Sequence, residues 1–214
     1  IRLSLVGSEM CIRDRYYYQM LGFEIYFAES IDKLADNLKE VKPHFIPVVP
    51  RLLEKIYDKI VDKGSSLKGI KRVLFFWSLQ LAKRYEPYKK NGWWYYFQLT
   101  IANKLVFSKW REAFGGNIKF LVSGSAPLQP LLIRVFTAAG IPVFEGYGMT
   151  ETSPGISIND FRNNKFKIGT VGKVLDDIEV KIAEDGEILV KGSNIMMGYY
   201  KQENLTNKTI VNDF

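Results

Sequence analysis

One strand–helix–strand unit constrains the fold of this chain more than any other part of it. Residues 118–122 form a short apolar run typical of a buried strand, and residues 141–144 have the composition of a second strand. Pro130 opens a helix between them, and Gly140 follows it as a C-cap. The helix has one apolar face, formed by Leu131, Leu132, Val135 and Phe136. Because such crossovers join parallel neighbouring strands, the unit predicts an α/β fold.

A glycine-rich turn follows each of these two strands. The first turn is Gly124-Ser125-Ala126-Pro127, and the second is Gly146-Tyr147-Gly148-Met149-Thr150-Glu151-Thr152. Since the carboxyl ends of parallel strands share one sheet edge, where open α/β sheets bind ligands, both turns are predicted to face one site. An accessible backbone, an aromatic face, a hydroxyl and a carboxylate together suit a nucleotide with magnesium. The alternative interpretation is an ordinary turn whose glycines serve only geometry.

Several further stretches agree in order and spacing with one known family, from about Tyr16 to the last residue. They are Lys42-Pro43 and residues 49–57, 122–128, 145–154, 169–172, 186–192 and 197–200. The tyrosine–glycine stretch indicates the adenylate-forming superfamily. Residues 49–57, Val-Pro-Arg-Leu-Leu-Glu-Lys-Ile-Tyr, narrow the likeness within it. The chain resembles the AMP-forming long-chain fatty acyl-CoA synthetases.

The resemblance implies a reaction in two steps and a set of site residues. ATP and a fatty carboxylate give an acyl-adenylate and pyrophosphate, and the thiol of CoA then displaces AMP. Tyr147 would stack on adenine against the backbone of residues 124–127. Thr150 and Glu151 would be catalytic, and Glu151 would also bind Mg²⁺. The implied ATP-binding residues are Gly124, Ser125, Ala126, Pro127, Glu145, Gly146, Tyr147, Gly148, Met149 and Thr150.

The family pattern extends beyond this chain, which affects the expected domain organisation. A phosphate loop ending in Pro-Lys-Gly, a ribose-binding aspartate and a C-terminal domain with a catalytic lysine have no counterpart here. We therefore expect part of a large adenylate-forming domain that is inactive in isolation. Residues 16–160 are predicted to form its α/β part, and residues 161–214 a small β-rich subdomain. Residues 1–15 do not match the family and are interpreted as a non-native leader or assembly scar, with a signal peptide as the alternative.

The net charge and the cysteine count limit which binding partners and which cellular compartment are expected for this protein. The formal charge of +7 suits nucleic acid, an acidic membrane or polyanions such as ATP and CoA. The basic residues are spread along the chain and form no nucleic-acid module, so a solvated basic surface is the default and no nucleic-acid partner is expected. The only cysteine, Cys11, lies in the suspected leader, which suits a reducing compartment. We expect a cytoplasmic protein, with peripheral association with the inner membrane face as an option; the oligomeric state is left open.

Helical periodicity and capping residues predict several helices between Ser30 and Leu105. Ser30 can cap a helix with an apolar face formed by Ile31, Leu34, Ala35, Leu38 and Val41. Pro50 opens another helix, in which two roles are open for Arg51: a structural one, such as pairing with Glu54 one turn on, or a contact with a ligand. Two aromatic-rich segments allow a membrane-interface role, but their helical spacing favours buried faces. These faces are Leu74, Trp77 and Leu81 in one helix and Phe97, Ile101 and Leu105 in the next.

The last third of the chain reads as β-structure. Residues 169–173 and 178–182 are predicted strands, and a turn with positive φ at Gly186 leads into a third strand at residues 187–191. Leu175-Asp176-Asp177 stands where many family members have Pro-Gly. Residues 194–200 are expected to shape the site through their backbone alone.

Two classes of function remain open. The first is an acyl-CoA ligase, and the second is a non-catalytic scaffold that binds lipid or membrane. Core-facing or purely capping positions for Thr150 or Glu151 would favour the scaffold. Within the first class, a medium-chain or aryl-acid ligase is an alternative, because one methylene changes binding by only ~1–3 kcal/mol.

Overall fold

A mixed seven-stranded sheet forms the centre of the described chain. The computed structural model describes residues 2–4, 18–153, 155–161 and 165–211. The strands are Arg2–Ser4 (β1), Ile25–Phe27 (β2), Phe45–Val48 (β3), Phe120–Ser123 (β4), Val143–Tyr147 (β5), Ser157–Asn159 (β6) and Lys173–Val174 (β7). Their spatial order is β2-β1-β3-β4-β5-β6-β7. The pairs from β2 to β5 are parallel, whereas β6 and β7 pair antiparallel. This arrangement confirms the predicted α/β class.

Helices flank the sheet and fill the connections between its strands. Their bounds are Leu34–Val41 (α1), Pro50–Ser65 (α2), Gly69–Lys83 (α3), Gly92–Ala102 (α4), Ser108–Ala113 (α5), Pro130–Ala138 (α6) and Glu203–Thr209 (α7). A π-helical segment, Asn103–Phe107, joins α4 to α5. None of the helices in the described ranges combines the length and the apolarity that a membrane crossing requires.

The predicted strand–helix–strand unit is confirmed, and it contributes fully buried residues to the core. The strands β4 and β5 are parallel neighbours joined by α6. Inward-facing Leu121 of β4 and Val143 of β5 are fully buried, as is Phe136 of α6. Next to this unit, α2 and α3 both contact α6, and they approach each other closely at Gly64, where a Cβ atom would overlap the ring of Phe75. Glycine is therefore required inside α2 for helix packing, despite its low helix propensity.

The two helices predicted near the start of the described chain are confirmed, with adjusted bounds. Ser30 Oγ accepts a hydrogen bond from the Lys33 N–H at 3.2 Å, but α1 begins only at Leu34. As a result Ile31 is 50% exposed and does not contribute to the buried face. In α2 the Arg51 Nη1 to Glu54 Oε2 distance is 3.2 Å, so the ion pair of the structural alternative is present.

One of the two predicted aromatic faces is wrong. Leu81 in α3 is buried and Trp77 is half-buried, as expected. In α4, however, Phe97 is 53% exposed, and the residues that enter the core are Tyr95, Leu99 and Ala102. Both faces of α4 are apolar, so periodicity alone could not tell which one packs inward. The exposed face consists of Trp93, Trp94, Phe97, Ile101 and Leu105.

The β-rich end of the chain is partly as predicted. Ile178–Ile182 (β8) and Ile188–Gly192 (β9) form a separate antiparallel hairpin, and Gly186 in its turn has a φ of +91°. The predicted strand at residues 169–173 is wrong, because Gly169 and Gly172 adopt φ values of +80° and +83° and only Lys173–Val174 is extended. Since β7 pairs with β6, the main sheet continues beyond residue 160. The division into domains at that residue stays a prediction.

The residues Leu175-Asp176-Asp177, which stand where many family members have Pro-Gly, have a conformational explanation. Asp177 adopts a left-handed φ of +64° just before β8. Glycine takes this conformation without strain, and Asp is among the few other residues that tolerate it. Of the suspected leader, residues 1–15, only 2–4 are described, as strand β1. Cys11 lies outside the described residues, and the origin of the leader stays a prediction.

Candidate functional site

The two glycine turns meet at one edge of the sheet. Ser123, the last residue of β4, is in register with Glu145 of β5. A Cβ atom built on Gly124, the next residue along, would lie 3.6 Å from the carbonyl oxygen of Gly146. The two turns are thus direct neighbours, which confirms the predicted convergence at the carboxyl ends of parallel strands.

The fold does not require glycine at position 124 or at position 146. Both have φ angles outside the left-handed region. A Cβ atom on Gly146 would lie 3.7 Å from the Ser157 carbonyl oxygen and 4.0 Å from that of Ser123. These are ordinary van der Waals distances, so the protein could accommodate alanine there. Since bare backbone favours the close approach of a ligand, this edge has the character of a binding surface.

Tyr147 lies beside this bare backbone. It is the last residue of β5, and its carbonyl oxygen accepts a hydrogen bond from the Ile156 N–H at 2.9 Å. Its side chain is half-buried, as are Gly146 and Gly148. Across from it, Ser125, Ala126 and Pro127 are exposed, and Ser125 is held at a φ of +71°. An aromatic side chain and an exposed turn therefore occupy the same edge, as a stacking site for a base requires.

Glu145 is a buried carboxyl group that fastens the first turn to β5. It is 5% exposed, and its Oε1 accepts a hydrogen bond from the Leu128 N–H at 3.0 Å. Within the described residues its buried Oε2 has no hydrogen-bond partner. Burial raises the pKa of Glu145 above its usual range, and the Leu128 N–H opposes part of this shift. This contact makes Glu145 a positioning residue beneath the turns; its predicted contact with ATP stays a prediction.

A short 3₁₀ turn, Thr150–Thr152, presents the predicted catalytic side chains. Thr152 is buried and closes the turn, because its Oγ1 accepts the Met149 N–H at 3.1 Å and donates to the Met149 carbonyl at 3.0 Å. Thr150 is exposed and Glu151 is half-buried. Neither side chain enters the core, so the arrangement favours the enzyme class over the scaffold class. Met149 is 40% exposed at the same edge.

Residues 194–199 hold this turn in place, and they do so with side chains. Asn194 Nδ2 donates to the carbonyl oxygens of Thr152 at 2.7 Å and Gly155 at 2.9 Å. The Tyr199 hydroxyl donates to Glu151 Oε1 at 2.9 Å. This hydrogen bond raises the pKa of Tyr199, because the ionised phenol could not donate it. The expectation that this segment acts through backbone alone is therefore wrong, although the Met196 N–H does bond the Glu151 carbonyl at 2.8 Å.

Two carboxyl groups lie at this edge: Glu145 is buried, whereas Glu151 is half-buried. Within the described ranges, no cluster of three or more His, Cys, Asp or Glu side chains could hold a metal ion. Magnesium usually takes one or two protein carboxylates and completes its octahedron with phosphate oxygens and water. Glu151 is the carboxylate that could serve this purpose. The side chain of His44, the only histidine, is exposed at the end of the α1–β3 connection.

Known proteins are similar to this chain over most of its length. The sequence pattern of the AMP-binding enzyme family matches residues 11–200, so the match begins inside the suspected leader, at residue 11 rather than near Tyr16. Long-chain-fatty-acid–CoA ligase FadD15 of Mycobacterium bovis is 34% identical over 184 residues, covering 85% of this chain and 30% of the relative. Long-chain-fatty-acid–CoA ligase 6 of Rattus norvegicus is 32% identical over 201 residues, covering 88% of this chain and 27% of the relative. The chain thus spans less than a third of the length of these relatives.

Solved structures share the fold. The N-terminal domain of FACL13 from Mycobacterium tuberculosis superposes with a TM-score of 0.63 at 16% identity, covering 99% of this chain and 46% of that one. O-succinylbenzoate CoA synthetase from Bacillus subtilis, in complex with its acyl-adenylate intermediate, superposes with a TM-score of 0.62 at 18% identity, covering 99% and 36%. At such identities the likeness shows the fold alone.

Proposed function

Because this chain belongs to the family of AMP-binding enzymes, we propose that the protein containing it activates a long-chain fatty acid in two steps. In the first, a carboxylate oxygen of the fatty acid attacks the α-phosphorus of ATP, and pyrophosphate leaves with the bonding electron pair. In the second, the thiol sulfur of CoA attacks the acyl carbon, AMP leaves, and the thiol proton passes to solvent. The names of the relatives, which specify long-chain fatty acids, support this substrate class.

One observation carries the proposal: the two glycine turns, the second of which ends in the Thr150–Thr152 segment, are neighbours at one sheet edge. Tyr147 would stack on the adenine, with the backbone of residues 124–127 as the opposite wall. Thr150, which follows three residues later and is exposed, would donate its hydroxyl hydrogen to an α-phosphate oxygen. Each residue type at this edge therefore matches one part of the nucleotide.

Glu151 and Tyr199 would together hold the ion that neutralises the phosphate charge. Magnesium, when bound, neutralises negative charge on the phosphate oxygens. Glu151 would hold that ion, and the Tyr199 hydroxyl, bonded to Oε1, fixes the orientation of the carboxylate. Attack on a phosphorus surrounded by anionic oxygens depends mainly on positioning and charge neutralisation. The proposal accordingly assigns no general base.

Two substitutions test these roles in the full-length protein, by which we mean the product of the uninterrupted reading frame that contains this chain. Glu151→Gln removes the charge that would hold magnesium, so fatty-acid-dependent ATP–pyrophosphate exchange should be abolished while ATP binding is largely kept. Tyr147→Ala should instead weaken nucleotide binding, by the ~1–3 kcal/mol of a base–aromatic stack. Near-normal exchange in the Glu151→Gln protein would refute the magnesium assignment.

We also propose that the protein is located in the cytoplasm. A single cysteine among 214 residues suits a reducing compartment. Fractionation of cells that express the full-length protein tests this directly, with recovery outside the cytoplasmic and inner-membrane fractions as the contrary result.

A further inference from the structure

Arg51 follows a third parallel strand that ends at the same sheet edge as the glycine turns. The strands β3, β4 and β5 are neighbours in that order, and Val48, the last residue of β3, is in register with Ser123 of β4. Arg51 comes shortly after Val48, in the first turn of α2. The turn at residues 124–127 follows β4, the middle strand. It therefore stands between the segment that carries Arg51 and the end of β5, where Tyr147 lies.

The guanidinium group of Arg51 is held by one contact but remains open to solvent. Its side chain is 77% exposed, and Nη1 donates a hydrogen bond to Glu54 Oε2 at 3.2 Å. The other oxygen of that carboxylate accepts a hydrogen bond from Gln129 Nε2 at 3.2 Å, which ties α2 to the N-cap of α6 just after the first glycine turn. Among the contacts of the described residues, Glu54 engages only Nη1 of Arg51. The donors on Nε and Nη2 are thus available to a ligand.

Stability alone does not account for an arginine in this place. An ion pair between side chains as exposed as these contributes little to the free energy of unfolding, because water screens it. A planar guanidinium with free N–H groups matches two oxygens of a phosphate, to which it can donate two parallel hydrogen bonds. Since ligands bind at this edge of open α/β sheets, the position of Arg51 favours a contact with an anionic ligand over a purely structural role.

The proposed ligase reaction, on which this inference rests, limits which anion could lie beside Arg51. Thr150 and Glu151 would hold the α-phosphate and the magnesium ion on the β5 side of the first glycine turn. The fatty carboxylate that attacks the α-phosphorus and the pyrophosphate that leaves it must lie there too. The phosphates of CoA differ, because the long pantetheine arm separates them from the reacting thiol. They are therefore the anionic groups of this reaction that can lie on the β3 side of the turn.

We propose that Arg51 binds a phosphate group of CoA. The 3′-phosphate and the diphosphate of CoA present the same chemistry to a guanidinium, and the experiment below distinguishes them. The contact would anchor the nucleotide end of CoA while its thiol reaches the acyl-adenylate. Arg51 would accordingly contribute to the binding of CoA and not to the chemical step.

Steady-state kinetics of thioester formation by the full-length protein test the proposal. Arg51→Gln should raise the KM for CoA at least about tenfold, the usual effect of losing a hydrogen bond between charged groups, with little change in kcat or in the KM for ATP. Arg51→Lys keeps the charge but not the planar fork, so its KM for CoA should lie between those of wild type and Arg51→Gln. Because ATP–pyrophosphate exchange needs no CoA, the loss should be confined to thioester formation.

Shortened forms of CoA separate a phosphate contact from a general effect on the fold. Pantetheine carries the thiol but none of the phosphates, so wild type and Arg51→Gln should have the same KM for it. With 3′-dephospho-CoA, a retained difference between the two proteins would assign the contact to the diphosphate. Loss of that difference would assign the contact to the 3′-phosphate.

Lys63→Gln is the matched control, because Lys63 is an exposed cation about three turns further along α2. It should leave the KM for CoA unchanged. The proposal is overturned if Arg51→Gln has an unchanged KM for CoA, if it loses as much with pantetheine as with CoA, or if the KM for ATP rises instead. Absence of exchange in the wild-type protein would refute the proposed ligase activity itself, so the two failures can be told apart.

Discussion

Replacement of Gly146 by alanine tests whether glycine is needed there for ligand binding or for the stability of the fold. The added Cβ atom would meet only the Ser157 and Ser123 carbonyl oxygens, at 3.7 and 4.0 Å, and the φ angle of Gly146 is not in the left-handed region. An unstrained Gly→Ala change reduces the freedom of the unfolded chain. We therefore expect the free energy of unfolding to stay the same or to rise by about 0.4–1 kcal/mol.

Nucleotide binding should respond in the opposite direction. A methyl group on the bare backbone between the two turns would occupy space assigned to the ligand. Overpacking of this kind costs about 1–3 kcal/mol, which corresponds to a dissociation constant for AMP raised by about 5- to 150-fold. Isothermal titration calorimetry with AMP and urea denaturation of the full-length protein would measure the two effects separately.

Gly172→Ala is the matched control. Gly172 has a φ of +83°, and its Cβ atom would overlap the Ile158 carbonyl oxygen and the Asn159 Cα. Left-handed strain and backbone overlap should together lower the free energy of unfolding by at least about 2 kcal/mol. The reasoning about Gly146 is refuted if Gly146→Ala destabilises the protein as Gly172→Ala does, or if it leaves the affinity for AMP unchanged.

Three further substitutions probe the contacts around the site. Tyr199→Phe removes the hydrogen bond to Glu151. It should raise the magnesium concentration that gives half-maximal ATP–pyrophosphate exchange by about tenfold, with little change in the KM for ATP. An unchanged magnesium response would contradict the role of Tyr199 in orienting the Glu151 carboxylate. Asn159→Ala removes three hydrogen bonds to residues 167–170 and should lower the free energy of unfolding by about 3 kcal/mol in urea denaturation, and a loss below about 1 kcal/mol would contradict this. Because the pKa of Glu145 is raised in the folded state, the protonated side chain favours folding. Its contribution to the free energy of unfolding is therefore fully present below the ordinary pKa of 4.5, and it is lost as pH rises through the folded-state pKa. Thermal unfolding between pH 4.5 and 7 should therefore show Glu145→Gln gaining stability relative to wild type as pH rises, whereas a constant difference would argue against a raised pKa.

Local patterns predicted the part of the fold that positions the site. Apolar runs, a proline at the helix start and a glycine after its end sufficed to place β4, α6 and β5, because these signals act within a few residues. The burial of Glu145 was also within reach of the sequence. Side chains alternate along a strand, so buried Ile141 and Val143 put Glu145 on the same inward side.

Contacts between distant segments were not accessible in this way. The hydroxyl of Tyr199 meets Glu151 across 48 positions, and the amide of Asn194 reaches Thr152 across 42. Nothing in the composition of residues 194–200 specifies such partners. Similarly, the choice of the packed face of α4 depends on what α3 presents to it, since both faces of α4 are apolar.

Fatty-acid-dependent ATP–pyrophosphate exchange by the full-length protein tests the central claim most directly. The account predicts exchange that requires magnesium and a palmitate-like acid and that disappears in the Glu151→Gln protein. If a folded protein that binds AMP shows no exchange with carboxylates of any chain length, the result would contradict the proposed function.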